Sequence, residues 1–254
     1  NTFLMFCTEQ GTVKKTPLEA YSRPRAAGIN AITINEGDRL LDVQLLSGNS
    51  QVILASRAGR AVRFPEEKVR PMGRTAAGVR GISLSEDAAD GDKVVGMVCV
   101  AEDSGEELLV VSDHGYGKRS VLEEYRVTNR GGKGVKAMQV TDKTGKLVSI
   151  QAVTDADDLM IINRSGLTIR LSMSELRTIG RATQGVRLFK VAANDEISSV
   201  AKVAAAAEQE LELLLDEAVA SEVPAVALAD VTEDAGVDLV AGVADDEPAG
   251  TEQE

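Results

Sequence analysis

At 254 residues, 43% hydrophobic and 27% charged, the chain can bury one large core or two ordinary ones and has the make-up of a soluble globular protein. No apolar run approaches the roughly 20 residues that span a bilayer, so no membrane partner is expected. Cys7 and Cys99 provide neither a disulfide framework nor a zinc site, and the expected setting is reduced and cytoplasmic.

The net charge of -12 conceals a division. Residues 204–254 carry fifteen acids and no Lys or Arg, which leaves 25 acids against 28 bases in residues 1–203. A mildly basic body with an acidic tail suits a polyanion binder with a built-in competitor.

The chain opens on Asn1-Thr2-Phe3-Leu4-Met5-Phe6-Cys7, too short and too poor in bases for a signal peptide. It lacks an initiator Met and opens directly on a strand-like run, which reads as a piece of something longer. Phe3–Cys7 turns at Gln10-Gly11 and returns through Val13 to Thr16. The same hairpin recurs as Val52–Ser56 turning at Gly59, Leu108–Ser112 at Gly115 and Leu159–Asn163 at Gly166. A glycine at each turn suits positive φ. Spacings of 48, 56 and 51 residues indicate four repeats of blade size, about 1–50, 51–107, 108–157 and 158–203.

A short acidic corner follows each hairpin: Leu18–Tyr21, Glu66–Val69, Leu122–Tyr125 and Ser174–Leu176. Next comes a glycine loop, fullest in Asn129-Arg130-Gly131-Gly132-Lys133-Gly134, and a third strand that opens on Val135 and alternates to Val140. Equivalent strands place Ile32 and Ile34, Ile82 and Leu84, and Phe189 and Val191 on one face, with Asn30, Arg80, Lys136 or Arg187 two residues before each pair. A fourth strand closes each unit: Leu40–Leu45, Val94–Val100, Leu147–Val153 and Ile197–Val203. The expected fold is all-β, with about four visible four-stranded blades over residues 1–203. The acidic tail, 204–254, reads as helix-forming over Ala204–Ala220 and disordered beyond Asp230.

Positive charge recurs at matched places. The fourth residue after each hairpin glycine is Lys15, Arg63, Arg119 or Arg170, with Lys14 and Lys118 adjoining two of them. The eleventh is Ser22, Arg70, Arg126 or Arg177, and the fifteenth is Arg74, Arg130 or Arg181, with Arg23 and Arg25 nearby in the shortened first copy. Matched cations on a repeated scaffold fall on one surface, here a basic band for duplex DNA with little sequence preference. The alternative is that each is solvated or pairs with an acidic corner. In the glycine loop, Gly131, Gly132 and Gly134 would let backbone N–H groups approach phosphate while Arg130 and Lys133 supply charge. A tight inter-strand turn is compatible with that role.

These residues carry a family resemblance. The Gly-x-x-Lys-Lys/Arg hairpins, Gly115-Tyr116-Gly117-Lys118-Arg119, Thr75–Gly81 and Gly180–Val186 make residues 1–203 similar to the C-terminal domain of DNA gyrase A, part of a bacterial ATP-dependent type II topoisomerase. The resemblance implies a β-pinwheel, a propeller-like disc whose blades exchange strands. It also implies DNA wrapped around the rim, which biases strand passage toward negative supercoils. The implied partners are double-stranded DNA and, in a heterotetramer, gyrase B together with the rest of gyrase A. ATP and Mg2+ would bind elsewhere in that holoenzyme, with no cofactor here, and the location would be cytoplasmic and nucleoid-associated. The family's signature box, Gln-Arg-Arg-Gly-Gly-Lys-Gly, lies in its first blade, whereas Arg130–Gly134, preceded by Thr128-Asn129, lies in the third copy here. That departure suggests blades upstream of Asn1.

The related domain of topoisomerase IV and a protein-interaction propeller are the competing assignments. The absence of Trp counts against a Trp-Asp repeat propeller. A propeller enzyme with channel carboxylates is a third, but the Glu pairs at 66–67 and 123–124 read as solvated corners. Tyr21 and Tyr125 stand where Val69 and Leu176 stand in the other copies, which implies packing rather than nucleophilic chemistry. His114 occupies a turn position filled elsewhere by Gln10, Ala58 and Ser165. The fragment is expected to be non-catalytic alone. Its tail either competes with DNA at high effective concentration or merely solubilises.

Overall fold

The computed structural model describes residues 2–46, 48–86 and 91–203; the expectations for the tail, 204–254, lie outside the described residues. The first repeat forms β1 (Phe3–Thr8), β2 (Thr12–Pro17), a 3-10 turn (Leu18–Tyr21) and β3 (Leu40–Leu46). The second forms β4 (Ser50–Ser56), β5 (Arg60–Pro65), a 3-10 turn (Glu66–Lys68), β6 (Val79–Arg80) and β7 (Val94–Ala101). The third gives β8 (Glu107–Ser112), β9 (Tyr116–Val121), a 3-10 turn (Leu122–Glu124), β10 (Val135–Lys136) and β11 (Leu147–Val153). The fourth gives β12 (Asp158–Asn163), β13 (Thr168–Ser172), a 3-10 turn (Met173–Glu175), β14 (Val186–Arg187) and β15 (Ile197–Val203).

Strand order reveals the exchange between repeats. The sheets run β3-β1-β2-β6, β7-β4-β5-β10, β11-β8-β9-β14 and β15-β12-β13. Each short third strand therefore joins the hairpin of the repeat before it: Val79 lies opposite Val13, Val135 opposite Ala61 and Val186 opposite Gly117. At the other edge β3, β7, β11 and β15 lie against one another in succession and form the inner side of the array.

The hairpin strands read as continuous apolar runs because both of their faces are covered. Val52 and Leu54 pack toward the first sheet, while Ile53 and Ala55 pack toward the third. Leu108 and Val110 face back, and Leu109 and Val111 face forward to the fourth sheet. Each such fully buried Val, Leu or Ile side chain contributes about 1.5–3 kcal/mol.

The third strand is shorter than its alternation suggests. After two ladder residues, consecutive N–H groups converge on one hairpin carbonyl and the ladder ends. Ala137 and Met138 donate to Gly59, Gly81 and Ile82 to Gly11, and Leu188 and Phe189 to Gly115. The chain folds over the hairpin tip and drives Ile82, Met138 and Phe189 into the core, at 1%, 1% and 7% exposure. The hairpin glycines have the expected positive φ, 81° at Gly11 and 80° at Gly59. The first three of them, Gly11, Gly59 and Gly115, also have no room for a side chain: a Cβ on Gly59 would lie 2.8 Å from the Met138 carbonyl.

Candidate nucleic-acid interface

The cations divide into an inner set that locks the blades and an outer set that is exposed or, at Arg74, Arg130 and Arg181, half-buried. The inner set corrects the sequence expectation of a continuous band. Lys15, Arg63 and Arg119 are 5%, 6% and 8% exposed, too buried for a phosphate track. Each points from its hairpin into the corner of the next repeat. Lys15 lies 3.4 Å from Glu66, Arg63 donates to the Leu122 carbonyl at 2.7 Å, and Arg119 donates to the Leu176 carbonyl. Arg119 also meets Asp155 at 2.5 Å and Glu107 at 3.2 Å. Their backbones repeat the joint, accepting from Met72, Thr128 and Ile179. Glu66, expected in a solvated corner, is 1% exposed for the same reason. Arg170 occupies the fourth equivalent place, is exposed, and pairs with Asp158 at 2.5 Å.

Lys14 and Lys118 are corrected likewise, both fully buried. Lys14 donates to the Ala31 carbonyl, and Lys118 to the Gly180 carbonyl at 2.7 Å. Burial, then the nearby Arg181 guanidinium, lowers the Lys118 ammonium to about 8, with Glu124 opposing. An unfolded lysine titrates near 10.4. Between these values the unfolded chain binds the extra proton, so Lys118 costs stability below pH 8 and the cost is relieved as pH rises toward 10.4. In denaturant titrations from pH 7 to 10.5, the stability advantage of Lys118→Met over the native chain should shrink as pH rises. An advantage independent of pH would contradict this assignment.

The glycine loop is a joint more than a phosphate cradle. Gly131 has φ 81° and donates its N–H to the Gly81 carbonyl at 2.6 Å. Gly134, at φ 68°, is pressed so closely on β5 that a Cβ would lie 2.2 Å from the Ala61 carbonyl. The Gly131 and Gly132 carbonyls accept from Ser83. Backbone approach is needed here, but to the neighbouring blade. Gly132 and Lys133 remain exposed at the loop tip.

The outer set forms a connected row. Arg74 donates to the Asn30 carbonyl at 3.4 Å, Arg130 to the Arg80 carbonyl at 3.0 Å and Arg181 to the Lys136 carbonyl at 2.8 Å. Each loop arginine thus touches the edge-strand residue of the previous repeat and precedes its own edge residue by six positions. The row reads Asn30, Arg74, Arg80, Arg130, Lys136, Arg181, Arg187, linked alternately by a hydrogen bond and by the chain. The acceptors named are neutral carbonyls, as is the Lys68 carbonyl that Arg130 also reaches at 2.9 Å; at Arg181 the Glu124 carboxylate is also close, accepting from the Arg181 backbone N–H at 2.6 Å. Arg80 and Lys136 are exposed; Arg187 stacks 5.3 Å over Tyr116 and donates to its hydroxyl at 2.8 Å.

Four residues before each loop arginine stand Arg70, Arg126 and Arg177, all exposed and without an ion pair or side-chain hydrogen bond among the described residues. The residue after each pairs with the preceding hairpin: Pro71 with Lys15, Val127 with Arg63, Thr178 with Arg119. One such arginine therefore recurs at the same place in each joint. Arg23 and Arg25 are exposed in the first loop.

Sequence reasoning missed Arg60, which donates to the Lys133 and Gly134 carbonyls at 2.7 Å each and fixes the loop. It follows a hairpin glycine where the other copies have Thr12, Tyr116 and Leu167, so repetition gave no signal. Tyr125 is fully buried in the core, and Tyr21 donates to the Ala31 carbonyl at 3.1 Å. His114 lies exposed at its turn. Among the described residues no helix is long and apolar enough to cross a membrane.

The repeat just described recurs in known proteins. The sequence matches the family described as "DNA gyrase C-terminal domain, beta-propeller" over residues 2–47, 50–101, 106–154 and 157–204. The chain belongs to the DNA gyrase C-terminal domain family. DNA gyrase A of Staphylococcus aureus strain MRSA252 is 42% identical over 212 residues, which is 84% of this chain and 24% of that protein. Its counterpart in strain NCTC 8325 is 43% identical over 210 residues, covering 83% and 23%. The chain thus spans about a quarter of the length of these relatives. Among solved structures, the C-terminal domain of a DNA topoisomerase IV superposes with a TM-score of 0.77 at 25% identity, covering 86% of this chain and 67% of that one. A DNA gyrase A C-terminal domain superposes with a TM-score of 0.69 at 25% identity, covering 80% and 66%. Gyrase and topoisomerase IV domains share this family fold, the β-pinwheel, and fold alone does not separate them.

Proposed function

We propose that this chain binds duplex DNA without sequence preference and bends it along the outer row of cations. The observation that carries the reading is the linked series Arg74, Arg80, Arg130, Lys136, Arg181, Arg187, with Arg70, Arg126 and Arg177 exposed beside it. Positive charge repeated at blade spacing suits a regular polyanion, because each phosphate neutralised releases counterions. Among the described residues no α-helix is presented to enter a major groove, so their contacts fall on the backbone and carry no base readout. Smooth bending costs on the order of 1–6 kcal/mol per 20–30 base pairs, which favours contacts that continue around the arc.

Within the parent enzyme, this module would bias ATP-dependent strand passage toward negative supercoiling. Its partners there would be gyrase B and the rest of gyrase A, with ATP and Mg2+ bound outside this chain. Its place is cytoplasmic, on the nucleoid. Sequence identity to gyrase A proteins supports this over the topoisomerase IV alternative. Electrophoretic mobility shift across a salt series tests it. Random-sequence duplexes should bind equally and lose about three to five decades of affinity between 50 and 200 mM salt if six to ten phosphates are neutralised. Salt-insensitive or absent binding would favour a protein-interaction propeller instead.

A further inference from the structure

Charge collects at the tip of the third hairpin in a way the other joints do not share. A cleft of about 420 Å³ is lined there by His114 and Tyr116 of the tip, by Lys143 of the turn before β11, and by Arg187, Lys190 and Asp195 of the fourth repeat. Tyr116 is only 6% exposed and is bordered by two cations, with Lys143 Nζ 5.6 Å and the Arg187 guanidinium 5.3 Å from its ring centre. Its hydroxyl accepts from Arg187 at 2.8 Å, but its own proton has no acceptor among the described residues. Lys143, Arg187 and Lys190 are exposed and form no ion pair among the described residues. His114 sits beside Lys143, with Nδ1 3.3 Å from the Lys143 carbonyl oxygen. Asp195, the carboxylate in the lining, is already engaged: it accepts from Asn163 at 2.6 Å and from Ser165 at 2.8 Å.

Repetition adds a second argument. At the places matching His114, Tyr116 and Lys190, the first joint has Gln10, Thr12 and Ser83, and the second has Ala58, Arg60 and Gln139. The first-repeat counterpart of Lys143 is Glu36. A duplex following the rim meets every joint, so a contact belonging to its regular track should recur with the blades, as Arg80, Lys136 and Arg187 do. The remainder of this cleft does not recur, which suits a discrete ligand of its own.

We propose that the cleft binds a small molecule bearing a terminal phosphate or diphosphate. Two ammonium groups and a guanidinium match its charge, and the unclaimed Tyr116 proton suits one of its oxygens. The volume lies within the range of small-molecule sites. The cleft borrows Arg187 from the outer row, but Lys143 and Lys190 are not members of that row. The proposal therefore stands or falls separately from DNA binding.

Isothermal titration of the full chain with inorganic pyrophosphate, without DNA and near about 0.1 M salt, provides the test. The native chain should bind with a dissociation constant below about 1 mM, and Lys143→Gln, Lys190→Gln and Tyr116→Phe should each weaken binding about tenfold with unchanged circular dichroism. Lys68→Gln, which removes an exposed lysine of the second repeat, should bind as the native chain does. The buried hydroxyl is the discriminating group, because diffuse attraction to surface lysines would not sense its loss. Absent binding, equal affinity in Tyr116→Phe, or an equal loss in Lys68→Gln each overturns the proposal. Lys143→Gln/Lys190→Gln should also leave the salt slope of DNA binding unchanged. A slope flattened by about two would make the cleft part of the duplex track and overturn the proposal as well.

Discussion

Arg70→Ala, Arg126→Ala and Arg177→Ala introduced together should weaken random-sequence DNA binding by about 10²–10³-fold near 0.1 M salt and flatten the salt slope by about three. The magnitude follows from the positions of the three side chains. All are exposed, none has an ion pair or side-chain hydrogen bond among the described residues, and each recurs at the same place in its joint. Removing them subtracts three phosphate contacts and little else. Folding stability should change by less than about 0.5 kcal/mol each, as for surface positions that touch nothing structural. Binding isotherms at several salt concentrations, beside thermal melts, separate the two effects. An unchanged slope would remove these arginines from the DNA track.

Arg119→Met should behave in the opposite way. The residue is 8% exposed, and its guanidinium meets Glu107, Asp155 and the Leu176 carbonyl at the joint between the third and fourth sheets. Removing the guanidinium leaves the part-buried Glu107 carboxylate and the Leu176 carbonyl without their partner, while Asp155 is open to solvent, at a cost of about 3 kcal/mol. For a domain of this size that lowers the melting temperature by roughly 10 °C. Arg170→Met, at the equivalent but exposed position beside Asp158, should cost under about 1 kcal/mol. Neither change should alter the salt slope of DNA binding by as much as one contact. A flattened slope in folded Arg119→Met would restore that register to the DNA track.

The contrast between Arg119 and Arg126 explains where sequence reasoning succeeded. Hairpins, turn glycines and inner strands were legible because their signals are local: a glycine needing positive φ, and Val-rich runs covered on both faces. Repetition also showed that charge recurs, but it could not show which way a side chain points. Arg119 lies on a ladder strand whose every face is covered by a neighbouring sheet, whereas Arg126 follows a 3-10 turn at the rim. Both look alike when only matched positions are compared. Strand exchange hid the same distinction in the glycine loops. Gly134 serves the carbonyl of Ala61, a residue 73 positions earlier, and that contact has no local sign. Likewise the alternation through Val140 reads as a strand, yet two N–H groups converging on Gly59 end the ladder at Lys136.

Ligating nicked circular DNA on the protein separates a wrapped duplex from one that is merely attached, because linking number records the path of the duplex. The native chain should shift the topoisomer distribution in proportion to protein bound, and Arg70→Ala/Arg126→Ala/Arg177→Ala should abolish the shift at matched occupancy. Circles that bind the native chain yet close with the distribution of free DNA would contradict a wrapped, out-of-plane path along the rim.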